Sequence, residues 1–231
     1  MKETVKIRSS LPRARARSAN ATDAAHREPE TSSARMLQAA ERLFALHGLD
    51  GVSVRDIARE AKLNNAGTFN YYFRSKQDLI DTLIVGALRK LNARCAETMR
   101  QVPEDAGLSA IVSALMESQR LNVAGAAESY TSRFLAMSLQ SRLSHVRALV
   151  KAEGLHDYDD ALARIRARLD FLPEPVVKQR LVFLFWSMTA FNAAHEAATF
   201  AGVRSDSLWL ACDAYANFAA CMIAMLAAPV L

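Results

Sequence analysis

The stretch from Ser53 to Lys76, SVRDIAREAKLNNAGTFNYYFRSK, constrains this chain more than any other. Ser53 and Asp56 stand at capping-box spacing, where a hydroxyl and a carboxylate satisfy orphan helix N–H groups reciprocally. Val54, Ile57, Ala58 and Ala61 then recur at three- and four-residue intervals, which predicts a short helix with one apolar face. A break at Lys62-Leu63 leads into a second short helix carrying small, amide and aromatic side chains. Ser75 and Asp78 repeat the capping spacing and open a longer helix. Two short helices, a tight turn and a polar second helix are the requirements of a helix-turn-helix reader of DNA.

The surroundings of that stretch are helical too. Half of the 231 residues are hydrophobic, and eight Gly and six Pro supply too few turns for an all-β fold, so an all-α chain is expected. Cys95, Cys212 and Cys221 form neither a metal spacing nor an even disulfide set, which fits a reducing cytoplasm. The net charge of +5 is unevenly placed: residues 1–76 carry +6 and residues 77–231 carry −1. A basic patch confined to the helix-turn-helix third is the electrostatic footprint of phosphate contact.

Residues 1–30 have no sustained apolar pattern and read as a disordered basic tail. Its Arg13, Arg15 and Arg17 suit a merely solvated extension, or an arm that reaches phosphates or a minor groove. A transit peptide is a poorer fit, because the tail forms no clear amphipathic helix, and a secretory signal is not indicated. Ser32 or Ser33 can cap a first helix to about His47, with Met36, Leu37, Ala40, Leu43 and Phe44 as its buried stripe and Gly48 as a left-handed stop. From Ser75 a long helix fades before Pro103. Helices follow over 107–125 and 129–150, then after Asp159 and Asp160 until Leu172-Pro173-Glu174-Pro175 breaks the pattern.

Two very apolar helices close the chain. Over 176–201, Val177, Leu181, Leu184, Met188, Phe191, His195 and Ala198 share one seam, and Val182, Phe185, Thr189, Asn192 and Glu196 share another. The final helix has two seams of its own. Asp213, Asn217 and the weakly hydrophobic alanines argue against a membrane span over 214–231, although an apolar run of about 18 residues raises it. Two seams per helix fit one face to the core and one to a second copy, giving a homodimer through the last two helices.

ARMLQAAERLF at 34–44, GLDGVSVRDIAREA at 48–61 and GTFNYYFRSKQDL at 67–79 together resemble the TetR, or tetracycline-repressor type, transcriptional regulators. The resemblance covers about residues 31–91 as the DNA-binding domain and implies a helical ligand-binding and dimerisation body over 92–231. It implies that Ser53 and Arg55 meet backbone phosphates and that Asn64, Asn65, Ala66, Gly67 and Thr68 face base edges. Asn can pair with adenine, and Thr can touch a thymine methyl. Tyr71 and Tyr72 would meet or underlie the backbone and Lys76 a phosphate, with Phe69 and Phe73 in the core. Three positions depart from the family pattern. Lys62 replaces the common turn glycine in a left-handed position, one extra residue lies between Ala61 and Gly67, and Asn70 stands where many relatives have tyrosine. The recognition-helix register is therefore open by one residue.

No catalytic constellation accompanies these motifs, and no cofactor or metal is expected. Glu153 and His156 have a di-iron spacing without the second copy such a site needs, and Asp157, Asp159 and Asp160 suit helix capping. Trp186, Asn192, His195 and Glu196, with Arg133, are polar groups in apolar helices. They could line a small-molecule pocket or be satisfied core polars. The expectation is a cytoplasmic homodimeric regulator, not an enzyme, that represses from a near-palindromic double-stranded operator until an unidentified small molecule releases it. The alternative is a helical small-molecule-binding or catalytic protein with a head that does not read DNA.

Overall fold

The computed structural model describes residues 19–63, 67–120, 129–200 and 213–230, and describes side chains from Ser32 onward except at Phe200. All regular structure among these residues is helical: α1 (Ala19–His47), α2 (Val54–Glu60), α3 (Gly67–Tyr72), α4 (Lys76–Arg100), α5 (Leu108–Ser118), α6 (Thr131–Ala152), α7 (Asp157–Arg166), α8 (Glu174–Phe200) and α9 (Ala214–Ala227). No helix of the described residues is long and apolar enough to cross a membrane. The arginines at 13, 15 and 17 lie outside the described residues. Residues 19–30, expected to belong to the tail, instead continue α1 upstream of Ser32 and Ser33. Ala19, Ala21, Ala24 and Ala25 account for this, since alanine has the strongest helix propensity.

The two capping spacings behave differently. At α2 the box is complete: Asp56 N–H donates to Ser53 Oγ at 3.2 Å, and Ser53 N–H donates to Asp56 Oδ2 at 3.0 Å. At α4, Asp78 N–H donates to Ser75 Oγ at 3.1 Å, but the Asp78 carboxylate accepts from the Arg74 N–H at 2.9 Å. The second box is thus shifted by one residue on its return arm.

α2 ends in a Schellman motif, with Leu63 N–H donating to Ala58 O and Lys62 N–H to Arg59 O. That motif needs a left-handed residue, and Lys62 takes it at φ 53°, as its replacement of the turn glycine foreshadows. α6 ends the same way, but there Gly154 fills the position at φ 64°. The two turns share a geometry and differ only in whether a Cβ must be accommodated.

Two cores organise the described residues. The first joins Met36, Ala40 and Phe44 of α1 to Ile57, Phe69 and Phe73 and to Leu79, Ile80 and Ile84 of α4. It also takes in Phe134, Leu135 and Val146 of α6, and the Phe44 and Phe134 rings stack 6.1 Å apart. The helix-turn-helix head is therefore closed by a helix from the far half of the chain. The second core gathers Cys95, α5, α7 and the buried sides of α8 and α9. Several arginines of the body are committed to carbonyls at helix ends. Arg164 donates to Met99 O and Pro103 O, and Arg180 to Leu226 O and Ala228 O.

α6 is anchored at its start by α8. Glu196 is fully buried and accepts from the backbone N–H groups of Ser132 at 2.9 Å and Arg133 at 3.0 Å, from Ser129 Oγ at 3.1 Å, and from Arg133 Nε at 3.3 Å. A carboxylate on the positive end of a helix, satisfied by orphan amides, is favourable even when buried.

Unfolding experiments test both the turn and the anchor. Lys62→Gly relieves a Cβ penalty that exceeds the backbone entropy of glycine, so it should stabilise the fold by about 0.5–1 kcal/mol in urea unfolding. Glu196→Ala leaves the first turn of α6 without acceptors in a buried place and should cost about 2–4 kcal/mol, read as a lowered Tm and denaturation midpoint.

Candidate functional site

Seven of the ten residues expected at DNA are among the described residues. Ser53 and Arg55 are exposed at the start of α2, and Gly67 and Tyr71 are exposed on α3, with Tyr71 at 79 %. Thr68 and Tyr72 are half-buried, and Tyr72 meets Tyr71 edge-on at 4.9 Å. Burial raises the Tyr72 phenol above its ordinary pKa, with the Tyr71 hydroxyl adding to the effect. Phe69 and Phe73 are buried on the opposite side. Asn64, Asn65 and Ala66 lie outside the described residues. Lys76 sits in the first turn of α4 with its ammonium 5.7 Å from the centre of the Phe44 ring. Hydrogen bonds from the Ser53 hydroxyl and amide, with Arg59 nearby, hold the Asp56 carboxyl below its usual range. The acid at this basic edge is thereby occupied internally.

A cavity of about 610 Å³ lies in the body between α4, α6, α7 and α8. Its walls are mostly aliphatic: Leu88 and Leu91 of α4, Leu135, Leu139, Leu143, Val146 and Val150 of α6, and Leu181, Phe185 and Met188 of α8. One end holds Gln119, Ser132, Thr189 and Asn192, and the other holds Arg147, Lys151, His156 and Asp159. Tyr158 lines the wall with a buried hydroxyl that finds no hydrogen-bond partner among the described residues, and burial drives its pKa strongly upward.

Of the five residues expected around a ligand, Trp186 and Asn192 line this cavity. Arg133, His195 and Glu196 do not. Glu196 caps α6, and Arg133 accompanies it while its guanidinium lies 4.5 Å from the centre of the Tyr130 ring. His195 is stacked on Phe191 and edge-on to Tyr215 at 4.9 Å, and burial followed by the Arg120 charge lowers its pKa. The second seam of α8 also has another use. Phe185, Thr189 and Asn192 face the cavity, while Phe183, which lies between the seams, is half exposed.

The most consequential cluster escapes sequence reading. Arg142 has non-helical φ/ψ of −141° and 36° inside α6, which makes a kink there. Its guanidinium donates to Gln77 Oε1 and lies 3.4 Å from Asp50 Oδ1. One turn on, His145 Nε2 lies 2.8 Å from Asp81 Oδ1, which also accepts from Gln77 Nε2 at 2.7 Å. The kinked part of α6 thus grips the first turns of α4 and the turn before α2. Its neighbours Leu139, Leu143 and Val146 wall the cavity.

Residues 36–83 match the model of the bacterial regulatory proteins, tetR family. No curated protein matches the chain. Among solved structures, AmtR of Mycobacterium smegmatis superposes with a TM-score of 0.52 at 17% identity, over 96% of this chain and 92% of that one. The transcriptional regulator FadR of Bacillus subtilis, solved in complex with stearoyl-CoA, superposes at 0.51 and 15% identity, over 86% and 99%. PfmR of Thermus thermophilus, a TetR family transcriptional regulator, gives 0.47 at 18% identity, over 83% and 97%. At residues 36–83 the chain is similar to the bacterial regulatory proteins of the tetR family, and its fold is the one that AmtR and FadR have.

Proposed function

We propose that the protein is a homodimeric repressor that holds a near-palindromic operator and lets go when a small molecule fills the cavity of its body. One observation carries this reading. α6 puts Leu135 and Val146 both into the core of the head and into the wall of the cavity. Regulators of this family bind DNA and small-molecule effectors, typically as dimers. The protein works in the cytoplasm by binding, not by catalysis.

In this reading Ser53, Arg55, Tyr71, Tyr72 and Lys76 meet phosphates, while Asn64, Asn65, Ala66, Gly67 and Thr68 face bases. Phosphate contacts fix register, and base contacts specify sequence. The two copies join through the outer faces of α8 and α9. Val182 and Phe183 on α8 are about half exposed, and Ala216, Ala220, Cys221 and Ala224 make an exposed face of small side chains on α9. Small residues let two helix pairs approach closely around a twofold axis.

Coupling runs through the α6 kink. A ligand pressing on Leu139, Leu143 and Val146 moves Arg142 and His145, and with them the first turns of α4, so the helix from Ser75 tilts and the spacing of the two heads changes. Such a linkage is reciprocal and is worth about 1–3 kcal/mol. FadR with stearoyl-CoA shows that a fold of this kind can hold a ligand.

Two measurements check the proposal. Tyr71→Ala and Lys76→Ala should each weaken binding to the palindromic DNA upstream of the coding sequence, and Lys76→Ala should lower the salt slope by about one. Unchanged affinity and slope in both variants would remove these contacts from the assignment. Arg142→Ala should leave effector affinity in the absence of DNA near the parent's while cutting the effector's influence on operator affinity about fivefold or more. If the influence persists at full strength, the kink does not carry the coupling.

A further inference from the structure

We infer that the effector is an amphiphile, a flexible hydrocarbon chain ending in an anionic head, with the chain along α6 and the head at Arg147 and Lys151. The inference rests on the regulator reading above and narrows it to a class of ligand.

Shape comes first. α6 and α8 run antiparallel, since Glu196 near the end of α8 caps the start of α6. The cavity follows α6 from Ser132 to Lys151, a distance of roughly 25–30 Å at the helical rise. A volume of about 610 Å³ drawn out over that length makes a slot, not a sphere. Its middle is lined by branched aliphatic side chains from four helices, which offer a long guest dispersion and burial without directional contacts. Such a lining suits a flexible chain better than a polar or multiply hydrogen-bonded molecule.

The two ends differ in what they have to offer. At the Ser132 end the polar groups are engaged: Asn192 Oδ1 accepts from Tyr215 Oη at 2.9 Å, Gln119 Nε2 donates to Ser118 Oγ at 3.1 Å, and the Ser132 amide is bound to Glu196. That end is closed. At the other end Arg147 and Lys151 stand four residues apart on one face of α6, both exposed, and no ion pair engages either of them among the described residues. Two acids of the adjoining segment have other partners: Glu153 pairs with Arg89, and Asp157 bonds Asn92. Asp159 shares the mouth but is not within ion-pair distance of either cation, and it sits in the favourable first turn of α7. His156 completes the rim as a further potential donor. Two uncommitted cations at the open end of an aliphatic slot complement one carboxylate or phosphate group.

That head chemistry could come from a free long-chain carboxylate or from the thioester of such an acid on a phosphate-bearing carrier. Isothermal calorimetry on the full chain without DNA separates these and tests the class. The probes are hexadecanoate, its methyl ester, hexadecyltrimethylammonium and hexadecanoyl-coenzyme A.

Hexadecanoate or the thioester should bind at least about tenfold more tightly than the methyl ester or the ammonium. The tighter of those two identifies the source of the head. Arg147→Ser with Lys151→Ser should bring carboxylate and ester to within about twofold of each other while ester affinity stays near the parent's, which shows that the slot is intact. Leu139→Trp, which fills the slot, should abolish binding of all four. Ester or ammonium binding as tightly as the anions to the parent chain overturns the inference, as does hexadecanoate binding that survives Leu139→Trp unchanged. Failure of the regulator reading would appear elsewhere, as absence of operator binding by the ligand-free protein in a shift assay, and leaves the calorimetry readable.

Discussion

Much of this molecule depends on one buried carboxylate. Glu196 lies near the end of α8 and takes the first amides of α6, so two helices far apart in sequence are locked antiparallel at a defined register. A charge in such a place is tolerable only because donors from Ser129, Ser132 and Arg133 surround it. Glu41 on α1 lies close by with its carboxyl pKa raised, chiefly by burial and in part by the charge of Glu196, and it accepts a hydrogen bond from Thr131. The junction of α1, α6 and α8 is thus a polar knot inside apolar packing, where misregister would leave charges unpaired.

From that anchor α6 serves three neighbours. Its Phe134, Leu135 and Val146 complete the head core, its Leu139 and Leu143 wall the cavity, and its kink at Arg142 reaches the first turns of α4. A helix that shares a core with the head cannot shift without moving the head, because packed interiors transmit displacement instead of absorbing it. The grip of Arg142 and His145 on Gln77, Asp81 and Asp50 adds directional bonds to that contact. The same helix presents Arg147 and Lys151 at the cavity mouth.

The charge pattern acquires a physical division of labour. The basic edge of the head remains in solvent at Arg55, Arg59 and Arg74. In the body Arg164, Arg168 and Arg180 are committed to backbone carbonyls at helix ends and loops. A body with almost no net charge is therefore rich in arginine for reasons of helix termination, since guanidinium groups satisfy several carbonyls at once.

Local patterns by themselves determined the helical class, the capped start of α2, the left-handed turn at Lys62, and the burial of Phe69 and Phe73 against the exposure of Tyr71. Each of these is set by near neighbours in the chain, through capping geometry or a 3.6-residue period. Trp186 and Asn192 stand out as large or polar groups on an apolar helix, a mark that fits a cavity or a satisfied core alike, and they line the cavity. Glu196, His195 and Arg133 look alike in sequence and proved to serve the α6 cap and an aromatic cluster, because periodicity names a face without naming what covers it. Leu135, Leu139, Leu143 and Val146 carry no local mark that sets a cavity wall apart from ordinary core, for the same reason. Only the tertiary structure decided that α6 closes the head, that it kinks at Arg142, and that a slot opens along it. Those features arise from contacts between residues some 60 to 90 positions apart, such as Gln77 with Arg142 and Glu41 with Thr131, which no local pattern encodes.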